Sequence, residues 1–428
     1  MSRKIGFWSV FALVTGSQIG SGVFMLPANL APYGFYSLAG WLFSGAGAIA
    51  LALVFAGLCA RFPQTGGPHV YVHHAFGRGW AFFTGWTYWV ISWVSTTAVV
   101  VVSIGYLTPI IGHQSPEICL MLEISLVIII TLLNLKGVQA AGHAEFVLTV
   151  LKFVPLMVIP LLALSYFNTD NFVMSACTTP MGTSQILSQV TLLTLWGFIG
   201  LESATTPAGS VENPGKTIPK AIIIGTLCVA GLYLINSVGI MGLIPGQELV
   251  HSKAPYVDAV QRIFGGHWHL VIAVIASIAC IGTLNAWMLA SGQIALGLAE
   301  DQLLPSLFAR KNQFDAPFIG LLTSCLGIIP LLILTNHHTL CQQVGAIIDF
   351  SVIAFLFVYL ICVLAFLKIL KKQNHRGASW IYAFISLGFC GWVLYETSLK
   401  TLAIASLFTI SGIPVYSLWY RSKRYLNQ

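Results

Sequence analysis

The chain has 428 residues, of which 57% are hydrophobic and only 8% charged, with a formal net charge of +7. Soluble domains carry roughly 25% charged residues, so a water-soluble enzyme is excluded and lipid is the solvent this composition requires. The basic excess falls in short loops between apolar runs, where it sets membrane topology and offers no nucleic-acid surface.

About twelve apolar segments are long enough to cross a bilayer. They lie near 7–31, 37–60, 80–110, 117–136, 144–166, 184–209, 220–243, 268–301, 316–335, 342–370, 379–397 and 401–420. The first follows only Ser2, Arg3 and Lys4 and lacks a small-residue cleavage pattern, so it reads as a retained helix with a cytoplasmic N-terminus. An even number of spans puts both termini on one side. That side then collects Arg61, Arg78, Lys216, Lys220, Lys371 and Lys372, against Lys253, Arg262 and Lys400 opposite, as the positive-inside rule requires.

The first span is interrupted in "TGSQIGSGVFMLPANLAPYG", 15–34. Non-helical backbone at membrane depth is tolerated only where protein buries it or a cavity meets it. Gly20-Ser21-Gly22 therefore predicts an unwound segment facing a site. Its free amides would attract a carboxylate and its free carbonyls an ammonium or other cation. Small-residue helix packing is the competing reading.

The loop after span two, "RFPQTGGPHVYVHHAFGRG" (61–79), is rich in Gly, Pro and His and predicts a gate or interfacial element. His73-His74 lacks a third ligand nearby, so no metal site is expected. The third span brings Tyr88, Trp89 and Trp93, aromatic faces that can stack on a cation or simply pack. Span five carries Lys152 in "VLTVLKFVPL". Ionisable residues inside spans are costly and functional by default. Lys152 either exchanges a proton or snorkels to the interface.

Span six is interrupted as well, in "LLTLWGFIGLESATTPAG", 192–209, where Gly197 and Gly200 flank Phe198-Ile199 and Glu202 follows. Paired breaks at corresponding positions of two halves point to an inverted-repeat transporter with a midplane site. The expected fold is an all-α polytopic membrane protein with about twelve spans, the first and sixth broken. A single transmembrane domain, 1–428, would hold repeat one near 7–166, repeat two near 184–370 and two extra helices near 379–420. Glu202 serves proton coupling or gating, or ties the broken helix to a neighbour. Span eight brings Trp287, a second candidate for stacking. Asp349, in "VGAIIDFSVIAF" of span ten, would pair with a cationic substrate head or with a polar neighbour. The nine cysteines are scattered through apolar runs and read as small buried hydrophobes.

"SGVFMLPANLA", "LWGFIGLES", "VENPGKTIPKA", "GGPHVYVHHAFG", "GLIPGQELVHSKAPYVDA" and "TLNAWMLASGQ" together resemble the amino acid–polyamine–organocation superfamily and its basic amino acid/polyamine antiporters. The resemblance covers nearly the whole chain. It implies alternating access and arginine/agmatine-type exchange in a bacterial inner membrane. It also implies that substrate carboxylate and amino groups meet Ile19, Gly20, Ser21 and Gly22 and the Trp196–Ile199 segment. Trp196 would stack on the substrate, Trp287 and Tyr88 would frame the pocket, and Glu202 would take part in proton-sensitive gating. The chain departs from those antiporters at Ser17 and His69, and at Thr96 and Asp349, which the resemblance puts in the substrate site near the cationic head of the cargo. Some proton-coupled members of the superfamily carry a lysine where Lys152 stands, in the region that holds sodium in sodium-coupled relatives.

Two functions follow. One is an antiporter exchanging a basic amino acid for its decarboxylated amine or another amino acid. The other is a proton-coupled amino acid symporter of the same fold. No P-loop is present, no cofactor is expected, and the partners are a small-molecule substrate and the lipid bilayer. A homodimer is compatible with the sequence, because helix faces toward lipid and toward a partner look alike.

Overall fold

A computed structural model describes residues 4–112, 114–174, 182–252, 254–336, 340–375 and 377–426, except the side chains of Ser21, Thr335, 340–347, Asp349 and 420–426. The first half contains α1 (Phe7–Gln18), α2 (Ser21–Leu30), α3 (Tyr36–Arg61), α4 (Pro68–Phe76), α5 (Arg78–Gly105), α6 (Thr108–Ile111), α7 (Pro116–Asn134) and α8 (Val138–Ala163). The second contains α9 (Thr183–Trp196), α10 (Pro214–Leu243), α11 (Gly246–Leu249), α12 (Pro255–Phe264), α13 (Trp268–Glu300), α14 (Phe318–Thr335) and α15 (Leu340–Lys372). α16 (Ser379–Glu396), α17 (Leu399–Ile410) and α18 (Gly412–Leu426) close the chain.

Helix is found in each of the twelve expected segments. Among the described residues, nine helical stretches are long and apolar enough to cross a membrane, and Phe318–Leu334 is a shorter apolar helix. The sixth segment falls short of a continuous span because α9 stops after 14 residues at its break. Among the described residues the one extended pairing is an isolated bridge between Ile5 and Val211.

Local chemistry sets the joints. Proline occupies the first turn of α4, α7, α10 and α12, where its missing N–H has no intrahelical partner to lose. Inside α8, Pro160 removes the amide that would bond Leu156. Asn236 of α10 restores that bond, its Nδ2 donating to the Leu156 carbonyl at 3.1 Å. Lipid offers no donor for an orphaned carbonyl, so a neighbouring helix must.

The broken pair, α1–α2 and α9 with the segment after it, lies inside a shell that includes α3, α5, α8, α10, α13 and α15. One end of the bundle gathers both ends of the chain. There Ile5 N donates to Ser210 O at 2.9 Å and Glu212 N to Ile5 O at 3.0 Å. Gly209 N donates to Thr65 Oγ1 at 3.0 Å, and Trp419 Nε1 of α18 to Gln302 O at 3.2 Å. α7, α8 and α17 are largely exposed along their apolar length, as lipid-facing helices are.

Candidate functional site

α1 stops at Gln18 because Ile19 (φ −81°, ψ 86°) and Gly20 (φ −126°, ψ −141°) leave the helical region, and α2 starts at Ser21. Such a break strands the last carbonyls of one half-helix and the first amides of the next. The carbonyl side is filled by the chain's own donors. Lys152 Nζ donates to Gly16 O and Ile19 O, both at 3.0 Å. Thr283 Oγ1 reaches the same two oxygens at 2.8 and 2.9 Å. Tyr233 OH donates to Gln18 O at 2.8 Å and Trp287 Nε1 to Ser17 O at 3.3 Å. The carbonyls expected to attract an ammonium or other cation here receive Lys152 Nζ. The lysine side chain is 0% exposed, so it does not snorkel.

Glu145 holds that ammonium from the other side. It is also 0% exposed, with Oε1 at 3.6 Å from Lys152 Nζ. Asn285 Nδ2 donates to Oε2 at 2.9 Å, and Asn134 Nδ2 donates to Asn285 Oδ1 at 3.1 Å. Gly16 makes room for the carboxylate, since a Cβ there would lie 1.9 Å from Glu145 Oε1. Sequence reasoning missed Glu145. The signal was its place seven residues, two helical turns, before Lys152, which puts both on one face of α8.

The second break follows Trp196. Gly200 takes φ +105°, a conformation open to glycine, and a Cβ there would meet Ser17 Oγ at 2.7 Å. α10 begins only at Pro214, after two short 3₁₀ turns at Ser203–Thr205 and Ala208–Ser210. Ser17 pins the breaks together: its Oγ lies 2.9 Å from Gly200 O and 2.8 Å from Ser203 Oγ. Glu202 is buried behind the break. Tyr359 OH donates to its Oε2 at 2.5 Å and accepts from Gly200 N at 3.3 Å.

Between the two breaks lies a cavity of about 20 Å³, lined by Ser17, Gln18, Gly20, Gly22, Ser95, Val99, Trp196, Ile199, Thr283 and Trp287. That volume holds about one water, so the site is shut in this conformation. The wall is aromatic: Trp287 packs against Phe355 at 5.1 Å and Tyr88 at 6.3 Å between ring centroids.

The structure thus brings Gly20, Gly22, Trp196, Ile199 and Trp287 around one space, with Ile19 contributing its carbonyl to the cage beside it. Tyr88 stands behind Trp287. Thr96 does not line the cavity: its Oγ1 donates to Trp93 O at 2.7 Å, while Ser95 and Val99 take the facing positions. The side chains of Ser21 and Asp349 lie outside the described residues.

At the end that gathers the termini, the loop helix α4 meets the end of α13. His69 Nε2 lies 3.0 Å from Asp301 Oδ2, and the histidine is buried. Burial pushes the Asp301 carboxyl up. The His69 hydrogen bond and the charges of His69, His73 and His74 outweigh it and hold the carboxyl below the usual carboxylate range.

The sequence profile of the amino acid permease family matches residues 5–421. The chain is 29% identical over 421 residues to the putrescine transporter PotE of Haemophilus influenzae, covering 97% of each chain. It is 29% identical over 403 residues to a putative arginine/ornithine antiporter of Bacillus subtilis, covering 87% of this chain and 85% of that one. It is also 29% identical over 341 residues to the cadaverine/lysine antiporter of Escherichia coli, covering 78% and 75%.

Proposed function

The chain belongs to the amino acid permease family, and from that premise we propose that it is a secondary antiporter, exchanging a basic amino acid for its decarboxylated amine or for another amino acid by alternating access. The observation that carries this reading is the pair of broken helices meeting on one small aromatic-walled cavity. The start of α2 offers amide donors to a carboxylate. The Trp196 and Trp287 faces offer stacking surfaces to an ammonium or guanidinium. The two breaks fall where a five-plus-five inverted repeat would put them. The excess of basic loop residues on the side of the termini supports a cytoplasmic location for that end, and a bacterial inner membrane is the setting this reading takes.

Relatives named for putrescine, arginine/ornithine and cadaverine/lysine bracket the substrate class. Arginine/agmatine is one pair within it. A second reading, proton-coupled symport, draws on the buried Lys152–Glu145 pair beside the cavity, because a proton passing between the two would change the cage that holds the break.

Reconstitution separates the readings. Liposomes are preloaded with arginine, agmatine, ornithine, putrescine, lysine, cadaverine or nothing, and uptake of labelled arginine, lysine and putrescine is followed with and without a proton gradient. Antiport predicts uptake only into loaded vesicles, and the best counter-substrate names the pair. Uptake into empty vesicles driven by protons would replace antiport with symport.

A further inference from the structure

A second space opens at the end of the bundle opposite the termini. Its volume is about 530 Å³, within the size range of small-molecule sites and far larger than the shut cavity between the breaks. Its floor includes Leu193 of α9 and Val352 of α15, and its wall includes Tyr33, Gln185, Gln189 and Glu396. Tyr33 OH donates to Gln189 Oε1 at 2.9 Å, so the segment after α2 is strapped to α9 where both line the space.

The two spaces share their dividing elements. On α9, Leu192 lines the outer space and Trp196, four residues on, lines the inner one. On α15, Val352 lines the outer space and Phe355, three residues on, packs against Trp287. One helical turn, about 5.4 Å of rise, therefore separates them. Glu396 supplies the charge. Ser184 Oγ donates to its Oε1 at 3.1 Å, and it takes part in none of the ion pairs among the described residues. A half-buried carboxylate beside amide oxygens and hydroxyls, over an apolar floor, suits an alkyl chain with a cationic head.

We propose that this cavity is a second binding site for the basic amino acid or amine, in which Glu396 receives the ammonium or guanidinium before the molecule passes Trp196. The ligand class rests on the antiporter reading; the site itself rests on the cavity and Glu396. The experiment is saturation binding of labelled putrescine and labelled arginine to the purified chain, alongside exchange in liposomes. The expected result is two molecules bound per chain for one of these ligands, falling to one in Glu396→Gln. The KM on the outer side should rise about fivefold, as befits loss of a partly exposed ion pair, with the maximal exchange rate kept. Thr401→Phe fills the same cavity from α17 without touching the carboxylate and should also remove the second equivalent. One equivalent in the wild type, or a second equivalent that survives both substitutions, overturns the proposal while exchange stands. Absence of binding and exchange of every basic amino acid and amine overturns the antiporter reading, and the ligand assignment with it.

Discussion

Among the described residues, the one ion pair that Lys152 and Glu145 make is with each other. Both side chains are sealed from solvent, and removing one partner of a buried pair costs about 3–5 kcal/mol because the other is left uncompensated. Lys152→Ala should therefore lower the unfolding midpoint of the detergent-purified protein sharply. Lys152→Ala/Glu145→Ala should lose less than the two single substitutions added, by about 1–3 kcal/mol of coupling. Strict additivity would mean that the pair is not coupled. For Trp196, which lines the cavity between the breaks, the expected effect is on exchange instead of stability. Trp196→Ala should cut exchange at least about tenfold, as loss of a desolvated stacking contact requires, with the folded protein retained; wild-type exchange would remove it from the site. The residues differ in how visible they were beforehand. Gly20-Ser21-Gly22 stands out because glycine and hydroxyl groups are out of place in an apolar helix. Gly16 does not, because its reason is a carboxylate 129 positions later in the chain, Glu145.

Elements report their ends more readily than their rotation. The twelve apolar segments were legible because each needs lipid length, and the breaks because each needs glycine. The facing side of α5 was not: it is buried almost all round, so no polar face gives its phase. A helix turns about 100° per residue, which is the difference between expecting Thr96 at the cavity and finding Ser95 there. The join between α4 and α13 belongs to the same scale. Asp301→Asn should lower the unfolding midpoint by roughly 2 °C, the scale of a partly exposed ion pair. Because the Asp301 carboxyl is held below its usual range, its share of stability is fully present above the unfolded value of about 3.9. It is lost as the pH falls from there through the folded value. The gap between wild type and Asp301→Asn attributable to the carboxylate should thus close in acid below about pH 4. A gap that stays constant down to pH 2 would deny the ion pair a role.

For the whole molecule, alternating access requires the end that gathers the termini to open and close. In this structure it is shut, with Ile5 paired to the segment carrying Ser210 and Glu212 and the central cavity reduced to about 20 Å³. Bridge partners lie within disulfide reach, so Ile5→Cys/Val211→Cys should lock that end under oxidant. Exchange should stop and return on reduction; undiminished exchange under oxidant, with the cross-link verified by mass, would put the opening elsewhere. The buried ammonium also has an electrical consequence. Lys152 is covalently part of the chain, so its own charge returns with each cycle and adds nothing to the net charge moved. Where a doubly charged diamine leaves for each singly charged amino acid that enters, one positive charge moves outward per turnover. Against an interior-negative voltage of about 100 mV this takes about 2.3 kcal/mol, equivalent to a concentration ratio of about 50-fold. Such an exchanger works as a generator: a decarboxylase that keeps the inner amino acid scarce and the diamine abundant would charge the membrane through it.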